Sequence, residues 1–284
     1  MLSADERGPR SIIWLGEAAS RDGRTVGGKA AGLAPLVGRY PVPDGFCVPW
    51  DLFDDRGAVE ESLVEAAYRR LDPTGEAPLA VRSSAVGEDG DESSFAGQHT
   101  TVLAVRGLSA LLSALQACWR SAEDESARVY RRVRGAEPEG QSPRMAVLVQ
   151  RLVAADVAAV AFSRDPIRPD SGEMVINATW GLGEPIVSGS GTPDVFAVRR
   201  DDFSVVRRQI AVKQDMAIVA EEGIRHVPVP RRLRELPCLS GEQVLALARI
   251  LRDLEHDARR PVDVESAWAE GRWHVLQCRP ITAL

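Results

Sequence analysis

The sequence predicts a mixed α+β fold in two lobes with a cleft between them. Three observations carry this. Apolar residues recur at helical spacing over two long stretches, and apolar runs of strand length fill much of the rest. Near residue 148 the texture shifts, and strand then follows strand. Lobes are therefore expected over 1–148 and 149–284, in a chain of 284 residues long enough to bury a substantial core.

In chain order, "IIWL" (Ile12 to Leu15) reads as a short buried strand. Gly23-x-x-x-x-Gly28-Lys29 then fits the first part of the phosphate-binding pattern G-x-x-x-x-G-K-[ST]. Ala30 stands where a hydroxyl should hold Mg²⁺, and polar "GEAASRD" separates the glycines from the strand, so the match to a P-loop is poor. A short helix begins near Lys29, and "VGRYPVPDGFCVP" reads as a Pro/Gly-punctuated connection. "APLAVRSSA" reads as a buried strand ending at Arg82. The Gly-, Ser- and acid-rich loop "GEDGDESSFAGQHT" follows, then the strand "TVLAV". Leu108, Leu111, Leu112, Leu115, Cys118 and Trp119 predict an amphipathic helix running toward Arg134.

"MAVLVQ", "VAAVAF", "EMVINATW", "DVFAVRR" and "FSVVRRQIAV" are all strand-like, with turn residues between them. A helix is expected over "SGEQVLALARILRDLEHDARR", with Ser240 as N-cap and Glu242 in the first turn. Two alternating strands joined at Glu270-Gly271 close the chain.

Composition narrows the function. The chain is 44% hydrophobic and 27% charged, as globular proteins are, and its net charge of −6 argues against nucleic acid as the main partner. No segment is long and apolar enough for a membrane helix, and the charged N-terminus lacks the apolar run of a signal peptide. The scattered cysteines Cys47, Cys118, Cys238 and Cys278 suit reduced, buried thiols, so a cytoplasmic location is expected and a zinc site is not.

In the terminal hairpin, Asp263 and Glu265 share one strand face, and Gln277 and Arg279 share a face of the other strand. Whether the two faces coincide depends on the turn. A two-residue loop at Glu270-Gly271 would pair Glu265 with Leu276. A three-residue loop would set Glu265 opposite Gln277 and Asp263 opposite Arg279. Only the second register builds a site, of hard oxygen donors suited to Mg²⁺ beside a guanidinium suited to phosphate.

Six ordered motifs then sharpen the reading: "GGKAAGL", "VPDGFCV", "VRSSAVGEDGDESSFAGQHTTVL", "VQRLVAADVAAVAFSRDP", "WGLGEPIVSGSGTPD" and "VDVESAW…VLQCRPI". Together they resemble the ATP-binding N-terminal region of phosphoenolpyruvate synthase, pyruvate phosphate dikinase and rifampin phosphotransferase, over nearly the whole chain. The resemblance implies an ATP-grasp-type fold with the nucleotide between the lobes, and ATP and Mg²⁺ as cofactors. By motif match, Lys29 and Arg82 take phosphate-binding positions, and Ser93, Ser94, Phe95, Ala96, Gly97 and Gln98 the flap over the phosphates. Gln150, Arg151, Leu152 and Val153 take the adenine hinge. Glu265 and Gln277 take the metal-ligand positions, with Asp263 supporting and Arg279 on phosphate. The chain departs from the family at Leu152, where Met is common, and at Ala158-Ala159, where Ser-Gly is usual. No clear role follows for Trp180 to Gly189.

The resemblance implies an ATP-dependent phosphotransferase whose catalytic cations are Lys29, Arg82 and Arg279. Fused members carry phosphate on a histidine in a Thr-Cys-His or Thr-Ser-His context. None of His99, His226, His256 or His274 sits in one, so the phosphohistidine and pyruvate domains are expected to be absent. The acceptor is then a small molecule or a histidine of a partner protein. An ATP-grasp ligase and a non-catalytic nucleotide-binding module are the alternatives.

Overall fold

The computed structural model describes residues 11–87, 100–132 and 144–281. The chain divides into two compact units, Met1–Val37 with Asp44–Leu152, and Gly38–Pro43 with Val153–Leu284. The expected boundary at 148 falls inside a strand of the first unit, which continues to Leu152.

The first unit contains β1 (Ile13–Trp14), α1 (Gly23–Leu33), β2 (Gly45–Val48), α2 (Glu61–Leu71), β3 (Leu79–Ala85), β4 (Thr101–Val105), α3 (Leu108–Arg132) and β5 (Met145–Arg151). Its strands form an antiparallel sheet in the order β1-β2-β5-β3-β4. Strand side chains alternate, so each strand feeds two layers. Phe46, Val48, Leu79, Val81, Val147 and Val149 pack beneath Val64, Tyr68 and Leu71 of α2 and Leu111, Leu115 and Cys118 of α3. The other face carries α1.

Three expectations change here. "GFCV", read as part of a connection, is the fully buried β2, bracketed rather than prevented by Pro43 and Pro49. The helix α2 lies in a stretch given no element, although Val64, Ala67, Tyr68 and Leu71 hold helical spacing. The strand β3 runs three residues past Arg82, which is therefore mid-strand and held by neighbours on both sides.

The second unit contains β6 (Val157–Phe162), β7 (Glu173–Trp180), the single turn α4 (Glu184–Val187), β8 (Asp194–Arg199), β9 (Val205–Gln209), β10 (Asp215–Val219), β11 (Ile224–Pro228), α5 (Gly241–Ala258), β12 (Val262–Ala269) and β13 (Arg272–Pro280). Six strands form an antiparallel sheet in the order β13-β12-β6-β7-β8-β9, and β10-β11 is a separate hairpin. Ser240 caps α5 as expected. Gln243 completes a capping box, a pair of bonds worth about 1 kcal/mol. The helix packs on β12 and β8, burying Val244, Leu247 and Leu251. The indole of Trp273 donates to the Gln243 carbonyl (3.0 Å) and meets Trp268 edge-on at 5.4 Å.

Two buried clips hold this unit together. Asp194 accepts from Lys213 Nζ (2.5 Å) and from the amides of Ala211 (2.9 Å) and Cys238 (2.8 Å), so a carboxylate and an ammonium both near 0% exposed are paired and hydrogen-bonded. The Trp180 to Gly189 motif supplies the other. Gly181 (φ 74°) is so close to β10 that a Cβ there would overlap the Ala217 carbonyl, Leu182 N–H donates to that carbonyl (2.8 Å), and Trp180 Nε1 donates to Leu233 (3.2 Å). The motif seats β10 against the end of β7.

Candidate functional site

In the first unit the site begins with a break in α1. Gly27 has φ 74° and ψ 173°, which interrupts the helix just before Gly28 and Lys29. Glycine is required twice over, because a Cβ there would also overlap the Ser84 carbonyl and lie 2.5 Å from Ser84 Oγ. Ser84 Oγ donates to the Val26 carbonyl (2.8 Å) and accepts from the Ala30 amide (3.3 Å), one bond on each side of the break. The Gly-Gly-Lys turn is thus fastened to a strand two motifs away, which is what sets Lys29, 8% exposed, on this face. Nothing here is a P-loop. The helix lies on a sheet face and is capped by Asp22.

Arg82 and Ser84 share a face of β3. The pairings Arg82 with Leu148 and Ala80 with Gln150 put Gln150, 3% exposed, on the same face. Lys29, Arg82 and Gln150 therefore lie on the α1 side of the sheet. Arg151 does not join them. It points to the helix layer, where Nε and Nη2 donate to the Leu71 carbonyl at 3.1 and 2.5 Å and close the C-terminus of α2. Hinge amides are also committed: Arg151 N–H to Asp44 and Leu152 N–H to Pro78, both 2.9 Å. Ser94, Phe95, Ala96, Gly97 and Gln98 lie outside the described residues.

In the second unit the hairpin adopts the site-building register by a route not expected. The loop has two residues, Glu270 (φ 53°) and Gly271 (φ 75°), both left-handed as a tight hairpin turn requires. Ala269, Trp268, Ala267 and Ser266 pair with Arg272, Trp273, His274 and Val275, and Glu265 then pairs with Gln277. Leu276 is the extra residue of a β-bulge, which restores the alignment that a longer loop had been expected to provide. Asp263, Glu265, Gln277 and Arg279 accordingly share one face, opposite α5. Arg279 grips Asp263 Oδ2 from Nε (2.8 Å) and Nη2 (2.7 Å).

The donor set fits Mg²⁺. Gln277 Oε1 and Asp263 Oδ1 are buried with no hydrogen-bond partner, one acceptor in the Glu265 row and one in the next row along the same face. A buried unmet acceptor is costly, and a hard cation is the partner such oxygens take. Burial pushes the Asp263 carboxyl up, Arg279 opposes this, and Glu265 adds to the rise. Among the described residues no group of three or more His, Cys, Asp or Glu side chains is placed to hold a metal ion, so the donor set counts on the Gln277 amide oxygen beside the carboxylates. Sequence reasoning missed Ser84 and Gly27 as positioning residues, though both lie inside motifs it quoted.

Comparison with known proteins identifies a family. Residues 56–284 match the family described as "Pyruvate phosphate dikinase, AMP/ATP-binding domain". A probable phosphoenolpyruvate synthase of Methanocaldococcus jannaschii is 33% identical, covering 96% of this chain and 27% of that protein. A rifampicin phosphotransferase of Streptomyces sviceus is 33% identical, covering 97% and 36%. The prodigiosin synthesizing transferase PigC of Serratia marcescens is 34% identical, covering 96% and 33%. The chain spans about a third of the length of these relatives. It belongs to the pyruvate phosphate dikinase AMP/ATP-binding domain family.

Proposed function

We propose that the chain binds Mg-ATP and serves as the ATP-cleaving part of a phosphotransferase, passing a phosphoryl or pyrophosphoryl group to a small molecule or to a histidine of a partner protein. The observation that carries this reading is the pair of orphaned acceptors, Gln277 Oε1 and Asp263 Oδ1, beside Glu265 on the face that also bears Arg279. A module that merely held nucleotide would have no need of such a costly arrangement.

Glu265 and Gln277 would hold Mg²⁺, which when bound neutralises phosphate charge and keeps the phosphates in line. Asp263 orients Arg279 through its two-point contact, so that the guanidinium remains aimed along the face. Lys29 and Arg82 supply further positive charge for the phosphates, and the hinge near Val153 reads the base. Phosphoryl transfer asks little covalent help of a protein, and fixed charges of this kind are its main contribution. Relatives named as phosphotransferases and synthases support transfer as the outcome.

Lys29→Ala, Arg82→Ala and Glu265→Ala are each expected to abolish Mg-dependent ATP turnover with unchanged circular dichroism. Near-normal turnover in any one removes that residue from the scheme. Incubation with ATP and candidate acceptors separates the routes: AMP with phosphate indicates dikinase-like charging of a histidine, whereas ADP indicates a direct kinase or a ligase.

A further inference from the structure

His274 has no part in the scheme above, yet it stands on the same sheet face. The two-residue turn sets His274 opposite Ala267, and the bulge at Leu276 brings Gln277 and Arg279 onto the same face, one and two rows away. The ring is 8% exposed, and its Nε2 is buried with no hydrogen-bond partner. The neighbours along its row are small, Ala267 and then Ala158 of β6.

The surroundings of His274 favour the neutral ring. Burial and Arg272 push its pKa down, while Glu270 pulls the other way. In the tautomer of the neutral ring that carries its hydrogen on Nδ1, Nε2 has none. It is then a bare lone pair, an acceptor only. An acceptor of this kind repels phosphate oxygens, which carry no hydrogen at neutral pH, and seeks an O–H or N–H. Rows along the strands are about 7 Å apart. If phosphate and metal occupy the Arg279 and Gln277 rows, the next row meets the part of the nucleotide that bears donors.

We propose that His274 is a nucleotide-contacting residue, its Nε2 accepting a hydrogen bond from the nucleoside of ATP, either from a ribose hydroxyl or from the adenine amino group. The inference rests on the Mg-ATP reading. It makes His274 a specificity residue, because an analogue lacking that donor leaves the buried lone pair unmet.

The test is calorimetric titration of the full chain with Mg-ATP, Mg-2′-deoxy-ATP, Mg-3′-deoxy-ATP and the Mg complex of purine riboside triphosphate, in parallel with thermal melts. Wild type is expected to bind ATP about tenfold more tightly than one of the three analogues, and that analogue identifies the donor. His274→Phe keeps an aromatic ring but drops the lone pair. It should bind ATP about tenfold more weakly, lose the discrimination, and melt no lower than wild type without ligand. His274→Gln restores an acceptor and should recover part of the affinity. If His274→Phe binds all four nucleotides as wild type does, or wild type does not discriminate among them, the inference falls and the Mg-ATP reading stands. Weakened binding with a lowered melting temperature in both variants makes the ring a packing group and also overturns it. A folded wild type that binds no Mg-ATP overturns both.

Discussion

Gly27→Ala isolates the joint between the Gly-Gly-Lys turn and β3. Its φ of 74° and ψ of 173° lie in a region that side chains scarcely enter, a strain of about 1–3 kcal/mol. The new Cβ also overlaps the carbonyl of Ser84, a backbone atom in a paired strand that cannot rotate away. Overpacking of this sort adds about 1–3 kcal/mol. The expected total of about 2–6 kcal/mol is a large share of the 5–15 kcal/mol roughly typical of folded proteins. With a urea slope of about 2 kcal/mol/M, the midpoint of the transition reporting the first unit should fall by about 1–3 M. Gly107→Ala is the internal control. That glycine has φ 81° and nothing within 4 Å of its Cβ position, so it carries the backbone strain alone, about 1 kcal/mol. If Gly27→Ala costs no more than Gly107→Ala at unchanged slope, the close approach to Ser84 is not what holds the turn, and the argument that places Lys29 fails with it.

Ser84→Ala removes the hydroxyl that accepts from the Ala30 amide and donates to the Val26 carbonyl, which keeps the weak Cys47 thiol donor at 3.5 Å. It should cost about 1–3 kcal/mol in urea unfolding and reduce ATP turnover through Lys29. Lys213→Met strands the buried Asp194 carboxylate with amide donors alone and should cost about 3–5 kcal/mol, seen as a lower urea midpoint. The depressed pKa of His274 gives stability that is full above about pH 6.5, the unfolded value, and is lost as pH falls through and below it, since the unfolded ring binds the proton first. Melting temperatures followed from pH 7.5 to 5.5 should therefore decline less steeply in His274→Phe than in wild type.

Much of the architecture was legible because it rests on local periodicity. The helical spacing from Leu108, the Ser240 cap and the apolar runs of β5, β6 and β7 each state their own conformation within a few residues. The spacing of Val64, Ala67, Tyr68 and Leu71 in α2 is equally local. The hairpin of β10 and β11 was not, since its strands carry mostly half-exposed or exposed residues with little alternation. Arg82 looked like a strand end because the polar Ser83 and Ser84 follow it. Both serines are nonetheless buried, Ser84 paired with α1 and Ser83 donating to the Thr100 carbonyl (3.1 Å).

The sequence by itself determined which chemistry-bearing residues exist and in what order: Lys29, Arg82, Gln150, the Asp263–Glu265 pair and the Gln277–Arg279 pair. It could not determine the face on which the last pair lies, since the two registers of the terminal hairpin are equally compatible with Glu270-Gly271. The tertiary structure decided that. The inner strand β12 is locked to β6 from Asp263 to Trp268. On the outer strand, Trp273 is held by its bond to α5, and the Val275 amide donates to the Pro41 carbonyl (2.9 Å). Between these fixed points and the Asp263–Arg279 pair, one residue too many remains, and Leu276 takes it up as a bulge. Cross-strand pairing is a contact between distant segments, and its register is set by everything packed against both, which no local pattern encodes.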